Sequence, residues 1–185
     1  MCWVLTVFLV SQFALAQEDN LDPGLSSPDS VDFYQPDFDE NDFSNGIMVN
    51  SCRRASANQI AEVNLGFGKL QRFLAECASA TNGSHWCNEV ARPNPDSVSV
   101  FHCTYGTNQP HNLIHPDEGT WTNAFRAIRL VQELEAKNIK ACTIYNWWRP
   151  EPYNKNVGGA PGRHPFGTSI DVRFCSMTDM EKAHR

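Results

Sequence analysis

The sequence is marked first by what it does not contain. No apolar run reaches the ~20 residues that cross a bilayer; residues 3–16 are mostly apolar and uncharged but too short. No Cys-x-x-Cys pair occurs, which removes the commonest zinc-cluster signature. No basic stripe with interleaved aromatics is present, so nothing points to nucleic acid. No internal repeat is visible, which excludes a solenoid.

A further absence concerns charge. Residues 17–45 hold nine acids (Glu18, Asp19, Asp22, Asp29, Asp32, Asp37, Asp39, Glu40 and Asp42) and no base. The net charge of −6 is therefore uneven: the other 12 acids face 15 bases, leaving the rest near +3. With its Pro, Ser and Asn, a self-repelling stretch of this kind buries little surface. Residues 17–50 are expected to be a disordered linker. Before it, Ala14-Leu15-Ala16 closes the apolar run with a small-x-small pattern, so residues 1–16 read as a signal peptide cleaved before Gln17, although no Lys or Arg precedes the run. Export makes a disulfide framework the reading for Cys52, Cys77, Cys87, Cys103, Cys142 and Cys175, with 15 possible connectivities.

Beyond the linker the chain divides into a Cys-rich helical and irregular part, 51–119, and a C-terminal domain, 120–185. Ile60, Val63, Phe67, Leu70 and Leu74 recur at steps of three and four and predict a helix, weakened by Gly66 and Gly68. Residues 79–119 read as irregular, with a short strand at 98–103 suggested by Val98, Val100 and Phe101. A second helix is capped at Thr120 or Thr122, carries Phe125, Ile128, Val131 and Leu134 on one face, and stops at Asn138. Strands follow at 139–145 and 169–174, the second alternating Ile170, Val172 and Phe174 against Asp171 and Arg173. Thr178 and Glu181 have capping-box spacing and predict a last helix. Cys142 and Cys175 lie on the two strands and are expected to pair. Asn82-Gly83-Ser84 is a glycosylation sequon in a eukaryotic setting.

Chemistry concentrates in His164-Pro-Phe-Gly167-Thr-Ser-Ile-Asp171. A His on a glycine-bearing turn seven residues before a strand Asp can fold back, bringing imidazole and carboxylate to one point. Both are zinc ligands at about 2.0–2.2 Å. Arg149, Asn154, Val157, Gly158, Gly159, His164, Gly167 and Asp171 stand in register with a known pattern: Ser-Gly-Tyr-Arg, Asn five residues on, Val-Gly-Gly, then Ser-x-His-x-x-Gly-x-Ala-x-Asp. On those positions the chain resembles the zinc D-Ala-D-Ala carboxypeptidase family, which shares its fold with the hedgehog signalling domain.

The resemblance implies an α+β fold with a small antiparallel sheet and flanking helices. It implies a Zn2+ cofactor held by His164 and Asp171, and Arg149 as stabiliser of the oxyanion. Its partners would be peptidoglycan stem peptides, cut outside the cell. There are departures. Asn146 and Trp147 replace Ser and Gly, which would add bulk beside the substrate groove; Gly162 replaces Ser, and Ser169 replaces Ala. The family's Glu general base and third ligand, a His, come from a later strand, whereas Arg185 is 14 residues past Asp171. Glu181-Lys-Ala-His184 copies the Glu-x-x-His spacing, but the capping box makes an incidental His184 the stronger reading. His102, His111 and His115 are further candidates, with Pro110 and Pro116 set against a helix across them. The expected chain is thus either incomplete at its C-terminal strands or a domain that binds peptide or glycan without cutting. An extracellular domain stabilised by zinc alone is a third alternative.

Overall fold

A computed structural model describes residues 4–8 and 52–184 with the exception of Pro110. The described residues belong to one compact unit. The expected linker at 17–50 lies outside them, as does most of the expected leader; Val4–Phe8 is described and forms a strand.

The fold is α+β: a small antiparallel sheet with several helices. Strand β1 (Val4–Phe8) and strand β2 (Ala141–Asn146) flank strand β3 (Ser169–Phe174), both antiparallel to it. Asp171, on the central strand, lies opposite Thr6 on one side and Asn146 on the other. Six helices accompany the sheet among the described residues before its last strand or after it: α1 (Ala57–Phe67), α2 (Leu70–Ala80), α3 (Trp86–Val90), α4 (Val98–Tyr105), α5 (Trp121–Ala136) and α7 (Met177–Ala183). A single turn, α6 (Tyr153–Asn156), sits in the loop between β2 and β3.

Local chemistry explains most of these boundaries. Helix α1 opens on a capping box, with the Ser56 hydroxyl accepting from the Gln59 amide and the Gln59 side chain accepting from the Ser56 amide. The single helix expected from Ile60 to Leu74 is two helices, interrupted at Gly68 and Lys69. Gly66 is where the first meets the rest of the fold, since a Cβ there would overlap the Ile114 carbonyl. Helix α5 buries Phe125, Ile128 and Val131, and Asn138 follows it in the left-handed region at φ 59°.

Two local expectations are corrected. Residues 98–103 are helical rather than extended, because the chain before them is already wound. Asn94 accepts from the Asp96 amide, Pro95 starts a 3-10 turn, and α4 continues it with Phe101 and Tyr105 buried on one face. The last helix is capped two residues earlier than its Thr178–Glu181 spacing suggested: Ser176 accepts from the Asp179 amide.

The core centres on Phe73, which packs edge-on to Trp121 at 5.4 Å, against Phe125 at 5.5 Å and stacked with Trp147 at 5.5 Å. Three disulfides close the fold: Cys52–Cys103, Cys77–Cys87 and the expected Cys142–Cys175. No helix among the described residues is long and apolar enough to cross a membrane.

Candidate functional site

The site is made where the loop leaving β2 is bound to the loop entering β3. Four hydrogen bonds join them. The Arg149 amide donates to the His164 carbonyl at 3.2 Å, and His164 Nδ1 lies 2.8 Å from the Trp147 carbonyl. The indoles of Trp147 and Trp148 donate to the carbonyls of Gly167 at 2.8 Å and Pro165 at 3.1 Å. Gly167 supports this seam by taking φ 63°, and its Cα faces the Trp147 ring closely enough that a Cβ would crowd it at 3.2 Å.

His164 and Asp171 do meet. Nε2 of His164 is 3.2 Å from Oδ1 of Asp171, and both residues are buried. A carbonyl can only accept, so the Trp147 contact fixes the Nδ1 nitrogen as the donor. In a neutral imidazole this leaves the Nε2 lone pair facing a carboxylate oxygen. Two acceptors are stable at that separation only with a proton or a cation between them. The other carboxylate oxygen, Oδ2, receives the Asn146 side-chain amide at 3.4 Å and faces Arg149 Nη2 at 3.6 Å.

Arg149 is therefore present beside the pair, with its side chain only 13% exposed. Burial pulls its guanidinium below the usual arginine range, opposed by the nearby Asp171, Tyr153 and Glu151. Its Nε is buried with no hydrogen-bond partner among the described residues. Glu151 accepts instead from the Asn154 amide, at 3.1 Å.

Several positions that carried the sequence pattern are structural. Asn154, fully buried, donates to the carbonyls of Gly159 and Ala160 at 3.3 and 3.1 Å, and a Cβ on Gly159 would overlap its side chain. Gly158 takes φ 73°. Together they hold the loop that presents Arg149. Tyr153, on the same loop, is fully buried: burial pushes its phenol up to about 12, with Arg149, the Asn94 backbone and Ser97 acting in the opposite direction.

Trp147 departs from expectation. It does not add bulk to a groove; it is 1% exposed and stacked on Phe73, pointing into the core. Its contribution to the site is its carbonyl, which orients His164. Sequence reasoning also passed over Asn146, read only as a departure from Ser, and Phe166, which stands 63% exposed on the turn that holds His164. A glycine-bearing turn with an aromatic beside the His was the available signal for the latter.

The donor set fits zinc at two positions. Tetrahedral ligands about 2.0–2.1 Å from the metal lie roughly 3.3 Å from one another, close to the 3.2 Å between Nε2 and Oδ1. A His whose other nitrogen donates to a carbonyl is the usual orientation of a metal-bound imidazole. Among the described residues no group of three or more His, Cys, Asp or Glu is arranged to hold a metal. Glu181 and His184 are exposed on and just after α7, which packs through Met180 and Ala183. His115 is occupied elsewhere: its Nδ1 accepts from the Asp117 amide at 3.1 Å, its ring lies 5.2 Å from Trp148, and burial lowers its pKa.

Compared with known proteins, the chain matches no family model, no curated protein and no solved structure.

Proposed function

We propose that the β2–β3 seam is the half-site of an exported zinc peptidase acting on peptidoglycan stem peptides, of the D-Ala-D-Ala carboxypeptidase or endopeptidase type. The observation that carries this reading is the Nε2–Oδ1 approach of His164 and Asp171, with Nδ1 held by the Trp147 carbonyl. His164 and Asp171 would be the zinc ligands from this part of the chain. Zinc, when bound, polarises a peptide carbonyl and lowers the pKa of its water.

The remaining residues have definable tasks. The Trp147 carbonyl keeps the imidazole in the tautomer that offers Nε2 outward. Asn146 steadies the far carboxylate oxygen, so that Oδ1 faces the imidazole. Arg149 keeps a fixed positive charge beside the pair, suited to an oxyanion as it forms. Phe166 offers an exposed apolar surface next to the ligands. Three disulfides agree with an extracellular setting.

A second reading, peptide or glycan binding without cleavage, is favoured by one observation. Asn146 and Arg149 already face Oδ2 of Asp171, and a proton on His164 Nε2 completes Oδ1 without a metal. One experiment separates the two. The full chain with added zinc is incubated with purified cell walls and with stem peptides ending in D-Ala-D-Ala. The peptidase reading expects release of D-alanine or of cross-link fragments, abolished by a chelator and by His164→Ala. Absence of any release sinks it, and retention of peptide by the His164→Ala protein then supports the binding module.

A further inference from the structure

His102 and His111 form a cluster that the β2–β3 seam does not use. His102 lies on α4 and His111 in the loop that follows, nine positions on in the sequence. Their Nε2 atoms face each other at 2.9 Å, with ring centroids 4.7 Å apart and planes at 75°. Phe101 packs against both rings, its centroid 6.3 Å from each. Behind His102, Cys103 is bonded to Cys52, so that end of the pair is fixed covalently. His111 is exposed and His102 half-buried, so water reaches the pair from one side.

We infer that His102 and His111 form a second metal site, for a late first-row divalent cation such as Cu2+, Ni2+ or Zn2+. The argument starts from the rings. Two imidazoles meeting Nε2 to Nε2 need one hydrogen between them, so one ring is the Nε2–H tautomer and the other the Nδ1–H tautomer. A cation replaces that hydrogen if the donor ring moves its proton to Nδ1 through water. Both rings are then neutral ligands and no net proton is lost. Ligand nitrogens about 2.0–2.1 Å from a tetrahedral metal stand roughly 3.3 Å apart, so the rings need to separate by only a few tenths of an ångström from 2.9 Å. Exposed His111, on a loop, can supply that movement, while water completes the coordination. Imidazole pairs favour these cations over Mg2+ or Ca2+, with Cu2+ the tightest. Such a cation would fasten His111, and the 111–117 segment it opens, to α4 and thus to the Cys52–Cys103 bridge.

The test uses the full chain carrying Cys2→Ser and His164→Ala, so that neither a free thiol nor the β2–β3 site contributes. The proposal is therefore independent of the peptidase reading and survives its failure. Cu2+ is titrated and followed by calorimetry and by electron paramagnetic resonance. One equivalent with coupling to two imidazole nitrogens is expected. His102→Ala and His111→Ala should each weaken binding by about tenfold or more and remove nitrogen coupling, while His85→Ala leaves both unchanged. Circular dichroism checks that each variant is folded. If no equivalent binds, or if binding persists unchanged in either the His102 or the His111 variant, the site does not exist.

Discussion

His164 is held at both nitrogens, by the Trp147 carbonyl at 2.8 Å and by Asp171 Oδ1 at 3.2 Å. That double contact ties the imidazole to two segments, the β2 exit loop and β3. Asp171 is the more critical of its partners, because it also balances the largely buried Arg149.

Asp171→Asn keeps the shape and removes the charge. Arg149 then loses its ion-pair partner at the seam, and losing one partner of a buried pair costs about 3–5 kcal/mol. Thermal or denaturant unfolding should show a loss of that order. Adding Arg149→Met should recover most of it, since the pair is then replaced by apolar volume. A double variant as unstable as Asp171→Asn alone would show that Arg149 is not the cause.

Removing Cys142–Cys175 by Ser substitution at both positions opens a bridge across 33 residues. The chain-entropy relation gives about 3–4 kcal/mol for a loop of that length. Denaturant titration should find the loss at unchanged secondary structure.

Gly66→Ala tests the contact between α1 and the 113–116 segment. The added methyl would overlap the Ile114 carbonyl, which is backbone and cannot rotate away. A loss of about 2–3 kcal/mol is expected from such overpacking. Gly83→Ala supplies the comparison: its Cβ would meet nothing, so only the strain of φ 74° remains.

Alkaline stability should report Tyr153. Its phenol is raised from 10.0 to about 12 in the folded state, so the unfolded chain ionises first. Its contribution is complete below pH ~10 and is lost as pH rises through about 12, at up to ~1.4 kcal/mol per pH unit. Tyr153→Phe should flatten unfolding free energy across that window relative to wild type. Identical slopes would mean that the phenol is not buried as described.

Legibility from sequence followed how local the deciding interactions are. The α5 face and its Asn138 stop depend on spacing within one element, and both were readable. So was the strand pair, from Ile170 and Val172 alternating with Asp171. Residues 98–103 were misread because Val98 and Val100 favour strands in isolation, whereas Asn94 and Pro95 wind the chain just before them. The order Asn-Pro-Asp was the overlooked signal. The meeting of His164 with Asp171 could be anticipated, since a turn joins them. That Trp147 would point into the core and lend its carbonyl instead depends on Phe73, 74 positions earlier. No pattern near Trp147 encodes that.

The cross-links also divide the molecule in a way that the packing does not. Cys77–Cys87 is nested inside Cys52–Cys103, and Cys142–Cys175 encloses a separate stretch. A single backbone cut inside either outer ring leaves its two ends tethered. One cut between 104 and 141, the interval that includes α5, leaves two covalently independent pieces. Asn146, Trp147, Arg149, His164 and Asp171 all travel on the second, inside a macrocycle with its own closure.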